Sequence, residues 1–128
     1  MASAIQIYTD GSCHQATGRG GWAYFIPELN QKKNGKGTNT TSQRMELKAV
    51  IEALRYCKHN DISDIEVITD SQLIVECFYG RYKAGKNLDL WKKLYKLTKP
   101  KKVVFTWVKG HDGNVNNEIV DELASYKR

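Results

Sequence analysis

Two short β-rich runs end on the same pair of residues: Ile5-Gln-Ile-Tyr-Thr-Asp10 and Ile65-Glu-Val-Ile-Thr-Asp70. Side chains alternate between the two faces of a strand, so Asp10 and Asp70 take equivalent positions at the C-terminal tips of two strands. In open α/β sheets that edge is where ligands bind. Between the two runs, Arg44-Met-Glu-Leu47 opens a long helical pattern and contributes a third carboxylate, Glu46. Acids gathered on one rim, with no Cys or His cluster among them, suit a hard cation such as Mg²⁺ or Mn²⁺ better than zinc. The chemistry such a site offers is activation and displacement at a phosphate.

Glu46 can be tested against its own helix. It lies in line with Val50, Ala53 and Cys57, an apolar row, so it points toward the packed side near the helix start. A carboxylate there is costly unless something compensates it. Arg44 or free backbone amides would serve, but with two strand-tip aspartates in the same fold a shared cation is the better account. A fourth candidate comes late in the chain, where Val108-Lys-Gly-His111-Asp-Gly-Asn leads into Val115-Asn-Asn117-Glu118-Ile-Val-Asp121-Glu-Leu-Ala124. Taken alone, Glu118 and Asp121 read as solvated charges on one helix face, and His111 as a loop residue. The loop follows a strand, however, and should emerge on the rim that carries Asp10 and Asp70.

The elements that must position these groups follow from pattern. Strands are expected over 5–13, 22–26, roughly 37–41, 65–70 and 103–108, with the first three joined as an antiparallel meander. Helical spacing covers 42 to about 58 through Leu47, Val50, Ile51, Leu54 and Cys57. A second helix, capped by Ser71, carries Leu73, Ile74, Cys77 and Phe78. A third carries Leu90, Leu94 and Leu97 and stops before Pro100, and a last one spans 115–126 with Ile119, Val120, Leu123 and Tyr126 toward the sheet. Meander, helix, strand, helices, strand, helix is a mixed-sheet α/β arrangement in a single domain over 1–128.

Composition agrees with a soluble globule: 128 residues, 41% hydrophobic and 27% charged. The 20 Lys and Arg against 14 Asp and Glu leave a formal charge of +6, either a solvated basic surface or the footprint of a nucleic acid. No apolar run approaches a membrane span, and no signal peptide opens the chain. The cysteines, Cys13, Cys57 and Cys77, are odd in number and lack metal-ligand spacing, which fits a reducing, cytoplasmic compartment.

Taken together and in order, Tyr-Thr-Asp10-Gly-Ser, Arg-Met-Glu46-Leu, Thr-Asp70-Ser-Gln and Val-Lys-Gly-His111 followed by Asn117-Glu-x-x-Asp121-Glu-Leu-Ala resemble type 1 ribonuclease H over essentially the whole chain. The resemblance implies a ribonuclease H-like fold: a five-stranded mixed sheet of order 3-2-1-4-5, its second strand antiparallel, with helices on both faces. It implies hydrolysis of the RNA strand of an RNA–DNA hybrid, leaving 5′-phosphate and 3′-hydroxyl ends. Two Mg²⁺ ions, replaceable by Mn²⁺, would be held by Asp10 and Asp70 together, with Glu46 and Asp121 completing one site each. His111 would assist proton transfer or product release without binding metal, and Glu118 would modulate from a step further out.

By the same resemblance, Gly11, Ser12, Cys13, Ser42, Gln43, Gln72 and Asn117 would read the 2′-hydroxyl in the minor groove, the group that separates RNA from DNA. Thr41 and Asn87 match residues that hold a DNA-strand phosphate, and Trp91 stands on the helix that follows. The family often has Asn where Ser42 stands. Where some relatives carry a long basic protrusion rich in tryptophan, this chain has only Tyr79-Gly-Arg81-Tyr82-Lys83-Ala-Gly-Lys86, and no separate hybrid-binding domain is expected before Met1. Lys92, Lys93 and Lys96 would then have to grip the DNA strand, unless they form an ordinary solvated face. The expected partner is the hybrid, with no membrane, and the expected state a monomer. A domain dependent on a reverse transcriptase and an inactive hybrid-binding module are the alternatives. Intact Asp10, Glu46, Asp70 and Asp121 speak against the second.

Overall fold

The first strand, β1, runs Ile5–His14, and β2, Arg19–Ile26, folds back antiparallel on it. The computed structural model describes residues 4–110 and 113–127. After a single 3-10 turn at Pro27–Leu29, Asn30 in the left-handed region turns the chain into β3, Gln31–Gly37, antiparallel to β2. Helix α1, Ser42–His59, leads to β4, Asp64–Thr69. Helices α2, Gln72–Phe78, and α3, Leu88–Thr98, precede β5, Lys102–Trp107, and α4, Val115–Lys127, closes the order. The sheet order is β3-β2-β1-β4-β5, with β4 parallel to both β1 and β5.

The third strand differs from expectation. The polar stretch 31–37 pairs in full with β2, whereas 38–41 only leads into the helix. As the outer strand of the sheet, Gln-Lys-Lys-Asn-Gly-Lys-Gly needs no apolar alternation, and its lysines discourage pairing with another chain. It is tied down from the far face, where Asn34 Nδ2 donates to the Leu123 carbonyl at 2.9 Å.

Layers form on both faces. On one, α1 covers β1 and β2 with α3 beside it. Ile7, Leu47, Val50, Ile51, Leu54, Val67 and Phe105 belong to this larger core. Fully burying a side chain such as Leu47 or Ile51 contributes about 1.5–3 kcal/mol. The opposite face is smaller: α4 lays Val120 and Ala124 on Tyr8, Ala23 and Ile68, while Tyr126, expected to pack, is 81% exposed. Tyr126 falls off the stripe set by Val120 and Ala124.

Helix α1 starts where Thr41 accepts a hydrogen bond from the Arg44 amide at 3.2 Å. Its last turn carries Lys58 and His59, which suit the negative end of the helix dipole. That start matters most for the site, because it fixes where Glu46 begins its reach.

Candidate active site

Register brings the two aspartates together. The parallel ladder between β1 and β4 ends on Thr9↔Thr69, so Asp10 and Asp70 are the next residues on neighbouring strands. Asp70 does leave the end of its strand. Asp10 does not: β1 continues past it to His14, paired only with β2, and Asp10 stands opposite Ala23. The acid therefore projects from a rigid ladder at the step where the parallel neighbour stops.

Glycine lets the third acid join them. Tyr8 belongs to the core under α4, so by alternation Asp10 shares that face while Gly11 faces α1. A Cβ on Gly11 would collide with the Met45 carbonyl group and the Glu46 amide nitrogen. Without one, the first turn of α1 rests directly on the strand, and one ligand oxygen from each of Asp10, Glu46 and Asp70 lies within 4.8 Å of the others. Asp121 enters from α4 on Asp10's own face and hydrogen-bonds its carboxyl. Asp121 is thus attached to the cluster through Asp10, outside the group of three.

These charges oppose one another. Asp10 is 4% exposed, and burial first, then the hydrogen bond with Asp121 and the charges of Asp70 and Asp121, holds its carboxyl far above the usual carboxylate range. The Gly11 amide pulls modestly the other way. Burial pushes Glu46 up to about 7, helped by the charge of Asp70 and opposed by a hydrogen bond with Ser71. No Lys or Arg takes part in either shift. A partly buried, all-oxygen set is the kind of donor set that suits Mg²⁺ or Mn²⁺.

Supporting contacts that the sequence did not reveal fix the ligands. Ser71 was expected only to cap α2. Its hydroxyl does accept from the Ile74 amide at 3.3 Å, and it also holds Glu46. Trp107 on β5 donates its indole N–H to the Asp70 carbonyl at 3.1 Å, and Gly110 lies against the Asp70 carboxylate. The adjacency of Ser71 to Asp70 was a usable signal. Trp107 offered none, because its contact depends on strand pairing. His111 lies outside the described residues.

Residues 2–128 match the family model of RNase H. A Campylobacter jejuni protein named ribonuclease H (strain 81-176) is 42% identical over 94% of this chain and 88% of its own length. Proteins of the same name from Orientia tsutsugamushi and Cupriavidus pinatubonensis are 40% and 42% identical, covering 94% of this chain and 80% and 92% of theirs. The chain belongs to the ribonuclease H family. The strand order and the antiparallel second strand are those the family resemblance implied, and the chain is a nuclease by membership.

The remaining expected ribonuclease H contacts sort by position. Cys13, Thr41, Ser42, Gln43 and Asn87 line one cavity of about 510 Å³ together with Lys86, beside the start of α1. Gln72 is exposed at the start of α2, next to Ser71. Gly11 has no side chain to present and serves the close approach of α1. Trp91, 5% exposed, packs against Tyr95 in the main core and also lines a cavity of about 250 Å³ with Gln43, Lys86 and Asn87, while Asn117 is 2% exposed. Among the described residues, the Ser12 hydroxyl and the Asn117 side-chain oxygen are buried without hydrogen-bond partners. In the short connection, Arg81 is committed to Glu76 at 2.7 Å. Lys93 and Lys96 line a groove with Arg55, Lys58 and His59 of the C-terminal half of α1.

Proposed function

We propose that this chain hydrolyses the RNA strand of RNA–DNA hybrids by a two-metal-ion reaction, leaving 5′-phosphate and 3′-hydroxyl ends. One observation carries this reading: Asp10, Glu46 and Asp70 bring ligand oxygens within 4.8 Å in a partly buried site without a compensating Lys or Arg at Asp10 or Glu46. Asp10 and Asp70 would be common to both Mg²⁺ sites, Glu46 and Asp121 would complete one each, and Mn²⁺ could take their place. When bound, the ions supply an activated water and stabilisation of the leaving 3′-oxygen.

The chain's own groups do the rest. Ser71 holds Glu46 and Trp107 holds the backbone of Asp70, so that the ligands are set before substrate arrives. Ser12, Cys13, Ser42, Gln43 and Gln72 are the polar groups beside the acids that would read the 2′-hydroxyl. Thr41 and Asn87, on the wall of the cavity with Lys86, would hold a phosphate of the DNA strand away from the cleaved bond. His111 would carry a proton or speed product release. Three free cysteines suit a reducing, cytoplasmic setting, and among the described residues no helix is long and apolar enough to cross a membrane. We expect a monomer that works without a partner protein.

End-labelled hybrid, single-stranded RNA, duplex RNA and duplex DNA digested in parallel with Mg²⁺ test this. Only the RNA of the hybrid should be cut, with 5′-phosphate on the downstream product, and Asp70→Asn should bind hybrid without cutting it. Cleavage that survives chelation, or hybrid binding without cleavage by the parent chain, would overturn the reading. A requirement for added protein would make this a dependent domain.

A further inference from the structure

Alternation along β1 sends its side chains to opposite faces of the sheet. Gly11 and Cys13 face α1, and Cys13 lines the cavity expected to take the DNA-strand phosphate. Asp10, Ser12 and His14 take the other face, on which α4 lies. Strand pairing carries that face outward. Asp10 stands opposite Ala23 and then Asn34, and the next row on the same face is Ser12, Gly21 and Lys36. His14 pairs with Arg19, which lies two residues before Gly21 and so shares the face. Arg19 and Lys36 are therefore diagonal neighbours, roughly 7–8 Å apart. Two strands across and one row along, Lys36 has its Cα about 12 Å from that of Asp10. Both cations are exposed, and neither forms an ion pair among the described residues. The backbone under Arg19 is fixed: its amide donates to Thr17 Oγ1 at 3.2 Å, and the Thr40 amide donates to the Gly18 carbonyl at 3.1 Å.

A lysine on an outer strand has a ready explanation in protection of the sheet edge. That explanation is indifferent to face, and it does not extend to Arg19, which lies on the inner strand β2. We propose that Arg19 and Lys36 hold phosphates of the RNA strand beside the cleaved bond, an inference that rests on hybrid hydrolysis as the function. The strand to be cut presents its phosphate at Asp10. Its complement lies across the minor groove, on the side of the sheet that carries Thr41 and Asn87. Cations on the Asp10 face therefore meet the cleaved strand, and groups beside Cys13 meet the DNA. Arg19 offers a forked donor to a pair of phosphate oxygens, and Lys36 a point charge. Gly21, opposite Lys36, puts no side chain between the two cations. The two strands of the hybrid are then held from opposite faces of one sheet. This supplies a hold that Arg81, committed to Glu76, does not.

The test uses the full chain carrying Asp70→Asn and measures binding of labelled hybrid by anisotropy at several salt concentrations. Adding Arg19→Gln and Lys36→Gln together should weaken binding about tenfold at low salt. It should also lower the slope of log affinity against log salt by about one to two. Lys32→Gln with Lys33→Gln removes the same charge from β3 and should change binding less than twofold. A single methylphosphonate is then moved along the RNA phosphates on either side of the expected cleavage site. At one or two positions it should weaken binding to the Asp70→Asn chain and cost nothing further once Arg19 and Lys36 are changed. The same scan along the DNA strand should give independent losses throughout. With Asp70 intact, the paired change should raise KM for hybrid about tenfold and leave kcat within twofold. The proposal is wrong if the Lys32 and Lys33 pair weakens binding as much, or if losses are independent at every RNA position. It is equally wrong if the position that falls silent lies on the DNA strand. A parent that binds hybrid and never cuts it would sink the hydrolytic reading, while the methylphosphonate scan would still report on this contact.

Discussion

Arg44 Nη1 donates to the side-chain oxygen of Asn87 at 3.1 Å, joining the first turn of α1 to the residue that precedes α3. A guanidinium only donates, so the partner atom must be the amide oxygen, and the Asn87 NH₂ is left to donate elsewhere. Arg44 is itself fixed by both oxygens of Asp89, at 3.1 and 2.9 Å. If that NH₂ holds a DNA-strand phosphate, Arg44→Ala should raise KM for hybrid about fivefold with kcat within twofold. A methylphosphonate at the contacted DNA position should weaken the parent but not weaken Arg44→Ala further. Independent losses from the two changes would show that Arg44 does not act through Asn87.

The carboxylate cluster predicts a pH dependence in the metal-free protein. Asp10 and Glu46 titrate above their ordinary values, so the folded state holds protons that the unfolded chain releases. Their contribution to stability is fully present below about pH 4, the unfolded carboxylate range, and is lost as pH rises through about 7 and beyond. Asp10→Asn removes the larger share. Its unfolding free energy from urea titration without metal should exceed the parent's at pH 8, by on the order of 2 kcal/mol, and the gap should narrow toward pH 4. Saturating Mg²⁺ should stabilise the parent more than the variant. An equal gap at pH 4 and pH 8 would mean that charge crowding is not its source.

Gly11 should tolerate no side chain. A Cβ there meets the backbone of Met45 and Glu46, neither of which can turn aside as a flexible side chain would. Gly11→Ala must lift the start of α1 from β1, at about 1–3 kcal/mol or more. It should also separate Glu46 from Asp10, so Mg²⁺ affinity by calorimetry should fall together with activity, even at a temperature where the variant is fully folded. A variant that is less stable but binds Mg²⁺ as the parent does would place the strain elsewhere.

The four carboxylates were legible because each stands beside a strong local signal: a β run ending on Thr-Asp, an apolar helix stripe, a loop opening a helix. Residues that depend on tertiary pairing were not. Gln31–Gly37 forms the edge strand through the register of β2, and its own residues show no period. Asp10 was placed at a strand tip although the strand was expected to run on to Cys13, and Gly11 beyond it serves contact with α1. The α3 lysines were visible as a polar face, but which side of α1 they meet is fixed by helix packing. Trp91 and Asn117 had the right types for substrate contact, but their deep burial could not be read from their types.

Trp107 provides the last prediction. Its indole N–H is held on the Asp70 carbonyl at 3.1 Å, and its residue pairs with Thr69 across β4 and β5, so it pins the backbone where the Asp70 side chain departs. Asp70 follows the last residue of β4, and this bond extends the restraint one residue past the ladder. Trp107→Phe keeps an aromatic ring but loses the donor. Outer contacts of this kind are worth roughly 10-fold in metal affinity when removed. The Mg²⁺ concentration for half-maximal cleavage should therefore rise by about that factor, while KM for hybrid at saturating Mg²⁺ stays within twofold. Because the indole is 44% exposed, little packing is lost and the melting temperature should fall only slightly. An unchanged Mg²⁺ requirement with a large loss of stability would make Trp107 a prop for β5 and not for the ligand.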